Sequence, residues 1–348
     1  MDTVAVFFLA QGEQTADAIM ARLTAFIGAA KRTLDLAFYD MRLSDSLKAA
    51  LIAALHERAA AGVRIRFCFD GDKRAETAAG GDPAPSGTSA FIASLGYPFR
   101  RIGGMKLMHN KFIVRDKESV WTGSTNMTDD AFTRMENNIV VIDSAPLAAS
   151  YAQDFQQMWE RENFDNTGHI ETRPVPITFA NQPGTARVLF SPGYGFEIDT
   201  EIARRLRTAQ RRVRICSLLL NSGTLIGELR NLLQAGGVPV DGIYDRTQMT
   251  DVYRQWQEVP SNRWKIPALH DIVARAHLAG KNSTPYTPTG VHDFMHNKVL
   301  VIDDTVITGS YNFSRSAEFN AENILFLESA PLAEIYSAYI DRLLAKYR

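Results

Sequence analysis

Cysteine is nearly absent from this sequence: Cys68 and Cys216 are the only two among 348 residues. Each lies inside an apolar, β-rich run, RIRFCFD and RVRICSLLL. Two isolated thiols exclude a disulfide framework and offer no metal-ligand spacing. Long apolar stretches are missing too, and nothing approaches the ~18 residues of a membrane span. The longest early run, VAVFFLA, follows Asp2 without a basic segment, so it reads as a first strand and not as a signal peptide. The expected location is cytoplasmic, with a periplasmic or secreted one open to a chain trimmed of its signal. Charge of one sign is not in excess: 38 basic residues face 39 acidic ones, for a net charge of −1. That balance excludes a surface that is polycationic throughout and leaves a local basic groove open.

What is present is a chain 45% apolar, long enough to fold as two domains, and it is written twice. FIGAAKRTLDLAFYDM (26–41) is echoed by RLRTAQRRVRICSLLLNS (205–222), and HERAAAGVRIRFCFDG (56–71) by NLLQAGGVPVDGIYDR (231–246). MHNKFIVRDKESVWTGSTNM (108–127) returns as MHNKVLVIDDTVITGSYNFS (295–314), and DSAPLAASY (143–151) as ESAPLAEIY (328–336). So long a period fits a duplicated domain better than a solenoid. The copies cover 1–160 and 187–348, joined by a polar, proline-bearing connector at 161–186. Each alternates strand and helix before a hairpin and a last helix. The fold class is therefore α/β: two tandem domains, each a mixed sheet flanked by helices, packed about a pseudo-twofold axis.

The repeated histidine stretch carries the chemistry. Side chains two apart on a strand share a face, so His109 and Lys111 point one way. Asp116, at an odd offset, is expected to face away or sit at the hairpin corner. After the turn Ser124 and Asn126 share a face on the return strand, behind a glycine that admits close backbone approach. The second copy repeats this with His296, Lys298, Asp303, Ser310 and Asn312. Lysine, serine and asparagine suit an anionic tetrahedral group, and histidine attacks or transfers protons near neutral pH. Cleaving a phosphodiester uses one imidazole as nucleophile and another as acid, which explains why one chain would carry both copies.

With both His-x-Lys-x4-Asp and Gly-Ser-x-Asn present twice, the chain resembles the phospholipase D superfamily over essentially its whole length. The resemblance implies a metal-independent, cofactor-free, two-step mechanism through a phosphohistidine, in a site between two such halves. One chain would supply both half-sites, so a monomer suffices. It makes His109 and His296 nucleophile and general acid. Lys111, Lys298, Asn126 and Asn312 grip phosphate oxygens, supported by Ser124 and Ser310, while Asp116 and Asp303 complete the motif as structural members. One residue fewer separates Asp303 from Gly309 than Asp116 from Gly123, a change at the hairpin tip that could tilt Ser310 and Asn312.

The family also holds the nucleophilic ring with a downstream carboxylate or amide. The second copy offers Glu322; alignment places either Glu136 or Asn137 opposite it, and the sequence leaves that open. A glutamate beside His296 would raise its pKa and make it the acid, with His109 the nucleophile, although a glutamate could equally activate the attacking ring.

The leading substrate expectation is single-stranded nucleic acid, cut by a nuclease. It rests on an aromatic and basic mixture, Tyr253, Arg254, Trp256, Arg263, Trp264 and Lys265, suited to stacking bases and tracking phosphates. The six arginines of 204–214 are a further candidate surface. The loop at 70–89, small, polar and rich in glycine and proline, favours a water-soluble substrate and suggests a lid. The alternatives are a phospholipase D or phosphatidyl transferase, which should expose apolar loops around its mouth, and a catalytically silent nucleic-acid-binding protein. His292, four residues before His296, enters a strand and does not make a helical zinc pair.

Overall fold

The computed structural model describes residues 2–71, 87–287 and 290–348. Most of the loop expected at 70–89 lies outside the described residues.

In the first half, β1 (Thr3–Leu9), β2 (Thr33–Phe38), β4 (Arg64–Asp70), β5 (Phe99–Ile102), β6 (Lys111–Arg115), β7 (Ser119–Gly123) and β9 (Asn137–Asp143) lie in the order β1-β9-β7-β6-β2-β4-β5. The short β3 (Met41–Arg42) and β8 (Met127–Thr128) pair separately. After β10 (Val175–Phe179), the second half repeats the order. There β11 (Gln182–Ser191), β17 (Glu322–Glu328), β16 (Thr305–Gly309), β15 (Lys298–Ile302), β12 (Val213–Ser217), β13 (Val240–Asp245) and β14 (Ala279–Lys281) follow as β11-β17-β16-β15-β12-β13-β14. β2 and β4 pair in parallel, and β6, β7 and β9 run antiparallel in sequence, so each half is mixed.

The halves share one sheet of 15 strands among the described residues. The expected connector is not a plain linker. It contributes β10 and the start of β11, a hairpin turning at Ala180 and Asn181, both with positive φ. Proline is tolerated in β10 because that strand meets β1 only at Thr3 and Thr178, leaving it nearly an edge. One hydrophobic core crosses the seam and includes Leu9, Ile139, Leu325 and Tyr336.

The duplication shows in the charges as well. Asp35 on β2 is level with Arg66 on β4 and bonds it at 2.8 Å. In the second half Arg214 on β12 is level with Asp241 on β13 at 2.7 Å. The pair is kept while its signs are exchanged, as expected where only the attraction between neighbouring strands matters. The other arginines of 204–214 are also paired. Arg204 and Arg205 bond Glu201, Arg207 bonds Glu228, and Arg211 and Arg212 reach Asp304.

Candidate active site

Each histidine lies just before its hairpin, and the serine and asparagine lie just beyond the return strand, which ends at Gly123 or Gly309. The expected return strand is therefore shorter than the sequence suggested. The glycines explain the break. At Gly123, with φ +131, an added Cβ would stand 2.3 Å from the carbonyl oxygen of Asn138. At Gly309, with φ +150, it would stand 2.3 Å from that of Asn323. Both distances are closer than any side chain allows, so the chain leaves the sheet here only as glycine.

The one-residue difference between the hairpins is absorbed at their tips. The amide of Ser124 donates to Asn138 O at 3.1 Å and that of Ser310 to Asn323 O at 3.0 Å, so Ser310 is not tilted. Asp116 and Asp303, counted with the catalytic motif, do not enter the site. Asp116 sits at the corner with φ 58 and accepts from the backbone amides of Lys31, Arg32 and Thr33. Asp303 accepts in the same way from Gln210, Arg211 and Arg212. A carboxylate whose oxygens are spent on three amides fixes the hairpin to the preceding loop.

The histidines are held from the opposite half. The His109 amide donates to Ala321 O at 2.9 Å, and its Nδ1 lies 2.8 Å from Glu322. The His296 amide donates to Glu136 O at 3.0 Å, and its Nδ1 lies 3.0 Å from Asn137 Oδ1. The expected pairing of Glu322 with His296 is thus corrected: Glu322 crosses the seam to His109. The open choice in the first half falls on Asn137, whose Oδ1 also accepts from Ser124. The Glu136 carboxylate turns away to Lys281. Asn320 donates to Glu322 at 2.9 Å and completes its cradle. The sequence missed Asn320, although it stands two residues before Glu322.

A second lattice locks these parts together. Asn323 donates to Asn110 at 3.0 Å, and Asn138 donates to Asn297 at 2.9 Å. Thr122 and Tyr151 donate to Asn323 Oδ1, while Thr308 and Tyr336 donate to Asn138 Oδ1. Such a buried network is satisfied only when both halves are in register.

Lys111 and Lys298 are buried, and each donates to the carbonyl of its own histidine, at 2.7 Å and 2.6 Å. Burial lowers Lys111 to about 7 against the pull of Glu322, and burial followed by the Lys111 charge drives Lys298 well below its ordinary value. Burial, then the two lysine charges, also lowers both histidines. Burial raises Glu322 to about 8. His109 and Glu322 are joined in a hydrogen bond, and two buried lysines whose charged form is disfavoured until an opposite charge arrives give the site a marked preference for an anion. Oδ1 of Asn126 and of Asn312 is buried without a hydrogen-bond partner among the described residues.

A cavity of about 780 Å³ opens beside His109, lined by Lys106, Leu107, Asp165, Leu219, Asn221, Gln255, Asn312 and Asn320. None of the six residues expected to bind nucleic acid is among its lining. They belong to two helices, Arg246–Glu258 and Lys265–Arg275, and to the turn between them. Trp256 is core and donates to Asn221 at 2.8 Å, Tyr253 packs on Trp256, and Lys265 is buried against the Asn221 carbonyl. Arg254 bonds Asp251, Arg263 bonds the Gln257 carbonyl, and Trp264 is exposed outside the cavity. His292 lies between the rings of Tyr286 and Phe294.

Comparison with known proteins identifies the family. A family model described as cardiolipin synthase, PLD-like domain, matches residues 23–159 and again 202–344. The chain is similar to a mitochondrial cardiolipin hydrolase of Xenopus laevis, 33% identical over 144 residues, which are 41% of this chain and 62% of that protein. It thus spans about six-tenths of the length of that curated relative. It is also similar to a phospholipase D of Rickettsia felis, 25% identical over 67% of this chain and 94% of that protein. The crystal structure of phosphatidylserine synthase from Haemophilus influenzae Rd KW20 shares the fold with a TM-score of 0.66 at 15% identity, covering 95% of this chain and 86% of that one. With its domain matched twice and the two copies facing each other across one sheet, the chain belongs to the phospholipase D superfamily.

Proposed function

We propose that the two halves, 1–160 and 187–348, form one phosphodiesterase site that works through a phosphohistidine on His109 and needs neither a metal nor a second chain. The observation that carries this reading is the crossed support of the two rings. An Nδ1–H bonded to Glu322 leaves the lone pair of His109 on Nε2, and the carboxylate stabilises the positive charge the ring gains on attack. His296, held by a neutral amide, has no such partner for a permanent charge and suits proton transfer.

In the first step Nε2 of His109 forms a bond to phosphorus. The bond to the leaving oxygen breaks, and that oxygen takes the proton of His296. In the second step a water oxygen attacks phosphorus while its proton passes to His296, and the electrons of the P–N bond return to Nε2 of His109. Lys111, Lys298, Asn126 and Asn312 hold the non-bridging oxygens; an amide presents a donor as readily as an acceptor by turning about its last bond. Ser124 supports Asn137, and Ser310 supports the strand carrying Glu322.

The substrate class this site favours is a phospholipid headgroup ester. Beside His109 the cavity carries only one lysine and one aspartate, and the rest of its lining is neutral: amides, two serines and the apolar Met105, Leu107, Leu219 and Val252. Of the cations expected along a nucleic-acid track, Arg254 is paired with Asp251, Arg263 and Lys265 bond backbone carbonyls, and none of the three lines the cavity. Apolar side chains stand exposed on the loops leading to both histidines, Met105 at 68%, Tyr286 at 56% and Val291 at 46%. That suits contact with a lipid surface, while no helix among the described residues is long and apolar enough to cross a membrane. The relatives named for cardiolipin and phospholipid support the same reading.

The test is incubation in chelator with cardiolipin or phosphatidylglycerol vesicles and, separately, with labelled single-stranded DNA and RNA. Headgroup release from lipid is expected. Cleavage of nucleic acid with no lipid turnover would overturn the substrate assignment and leave the chemistry standing.

A further inference from the structure

The two histidines are supported unequally beyond their first partners. On the His296 side, Glu136 is fully buried and its carboxylate lies 2.5 Å from Nζ of Lys281, which is almost fully buried as well. The second carboxylate oxygen accepts from the Gln11 amide at 3.3 Å and from the Tyr347 hydroxyl. Lys281 also donates to the Gln11 side chain at 3.2 Å. Four separate parts of the chain converge here: the turn after β1, the approach to β9, the edge strand β14 and the helix Ala330–Tyr347. On the His109 side the matching residue is Ala321, whose methyl group can anchor nothing.

A buried ion pair is seldom more stabilising than apolar packing of the same volume, but it fixes direction. The direction fixed here is that of His296. The Glu136 carbonyl accepts from the His296 amide, and the Glu136 amide donates to Phe294 O at 3.1 Å. The next residue, Asn137, holds the His296 ring. Main chain and ring are thus both set by a two-residue segment whose anchor is the Glu136–Lys281 pair. We infer that Glu136 and Lys281, with Tyr347 and Gln11, form a positioning assembly that aims His296 at the leaving oxygen. The inference rests on the proposed role of His296 as acid.

Leaving-group chemistry tests it. p-Nitrophenolate departs without a proton, whereas glycerol does not, so a misaimed His296 slows the first step, transfer to His109, only for the second kind of ester. The second step is common to both, and the comparison is therefore made on the single-turnover burst. Phosphatidyl-p-nitrophenol and phosphatidylglycerol are compared in the same micelles with a Glu136→Gln/Lys281→Met double variant, which leaves no charge unpaired. The expected result is a loss on the order of 10–100-fold in the burst rate on phosphatidylglycerol, part of the full worth of an acid, and a p-nitrophenyl burst rate within roughly threefold of the unaltered protein. Asn137→Ala should show the same selective loss. Should the double variant fail to fold, Tyr347→Phe, which removes one hydroxyl, should reproduce the selectivity at smaller size. Equal fractional losses on both esters, or no loss on either, would overturn the positioning role alone. An unaltered protein silent on both esters would overturn the phospholipid assignment. The same comparison is then made on p-nitrophenyl and alkyl esters of a nucleotide, where silence on those too would remove the proposed function and this role together.

Discussion

The carboxylate of Glu322 lies 2.8 Å from Nδ1 of His109, 213 residues away in the opposite half of the molecule. Asn137 returns the contact to His296 at 3.0 Å, across 159 residues. Neither half holds its own histidine, so the chemistry exists only once both halves are folded and in register. In the proposed mechanism, the asymmetry between a carboxylate and an amide divides two similar rings into two roles.

That division predicts unequal costs. Glu322→Gln keeps a hydrogen bond but removes the charge that balances the phosphorylated ring, and should lower kcat by roughly 10²–10⁴-fold. Asn137→Ala removes a neutral hydrogen bond and should cost about tenfold on a natural ester. Steady-state kinetics on one lipid substrate checks both. Equal losses would contradict the assignment of the rings.

The pH profile follows from the buried charges. Burial first, then Lys111 and Lys298, hold both imidazoles below their ordinary value, so the free site holds them neutral. An arriving anionic ester offsets the lysines and lets one proton settle on His296. A plot of kcat/KM against pH should be bell-shaped, with its maximum on the acid side of about 6.5. A rate climbing steadily from about pH 5 to about pH 9 would refute the pairing of one neutral and one protonated ring.

Much of this was legible in the sequence, and particular residues show why the rest was not. The doubled His-x-Lys-x4-Asp pattern and its glycine carried the duplicated α/β architecture, because only glycine fits against the carbonyls of Asn138 and Asn323. The odd offset of Asp116 and Asp303 pointed to the hairpin corners where they lie. The crossing of Glu322 to His109 was not readable, since it depends on how two halves pack and no spacing encodes that. The aromatic and basic set at 253–265 falls outside the cavity for a different reason. Met249, Val252 and Trp256 recur at helical spacing and are all buried, so the tryptophan belonged to a core face.

The buried lysines predict a trade between stability and activity. A lysine whose folded pKa is lowered destabilises the fold at every pH below the unfolded value, and the penalty fades only as pH rises toward about 10.4. Lys298→Met should therefore raise Tm at neutral pH, by the equivalent of about 1–4 kcal/mol, with the gain narrowing in alkali. Activity should fall by about 10²–10³-fold. Thermal melts across pH, beside kinetics, provide the check; a lowered Tm at pH 7 would contradict it.

Asp116 should behave in the opposite way. Burial alone would raise its carboxyl, but the backbone amides of Thr33, Lys31 and Arg32, with the Arg32 charge, together hold it below the usual value. Its contribution is then complete above about pH 4 and is lost as pH falls through the lowered folded value. Asp116→Asn should cost about 1–3 kcal/mol at pH 7 and little in strong acid. The folded fraction should keep its kcat. A kcat loss as large as that of Glu322→Gln would place Asp116 in the chemistry after all.

The most direct test of the mechanism is to locate the covalent phosphoryl group. In His296→Asn, a p-nitrophenyl ester still allows the first step, because its leaving group needs no proton, while the second step lacks its base. Rapid quench at neutral to alkaline pH, followed by peptide mapping, should find the adduct on His109. Turnover with no adduct on His109, or an adduct on His296 in the converse His109→Asn variant, would contradict the account.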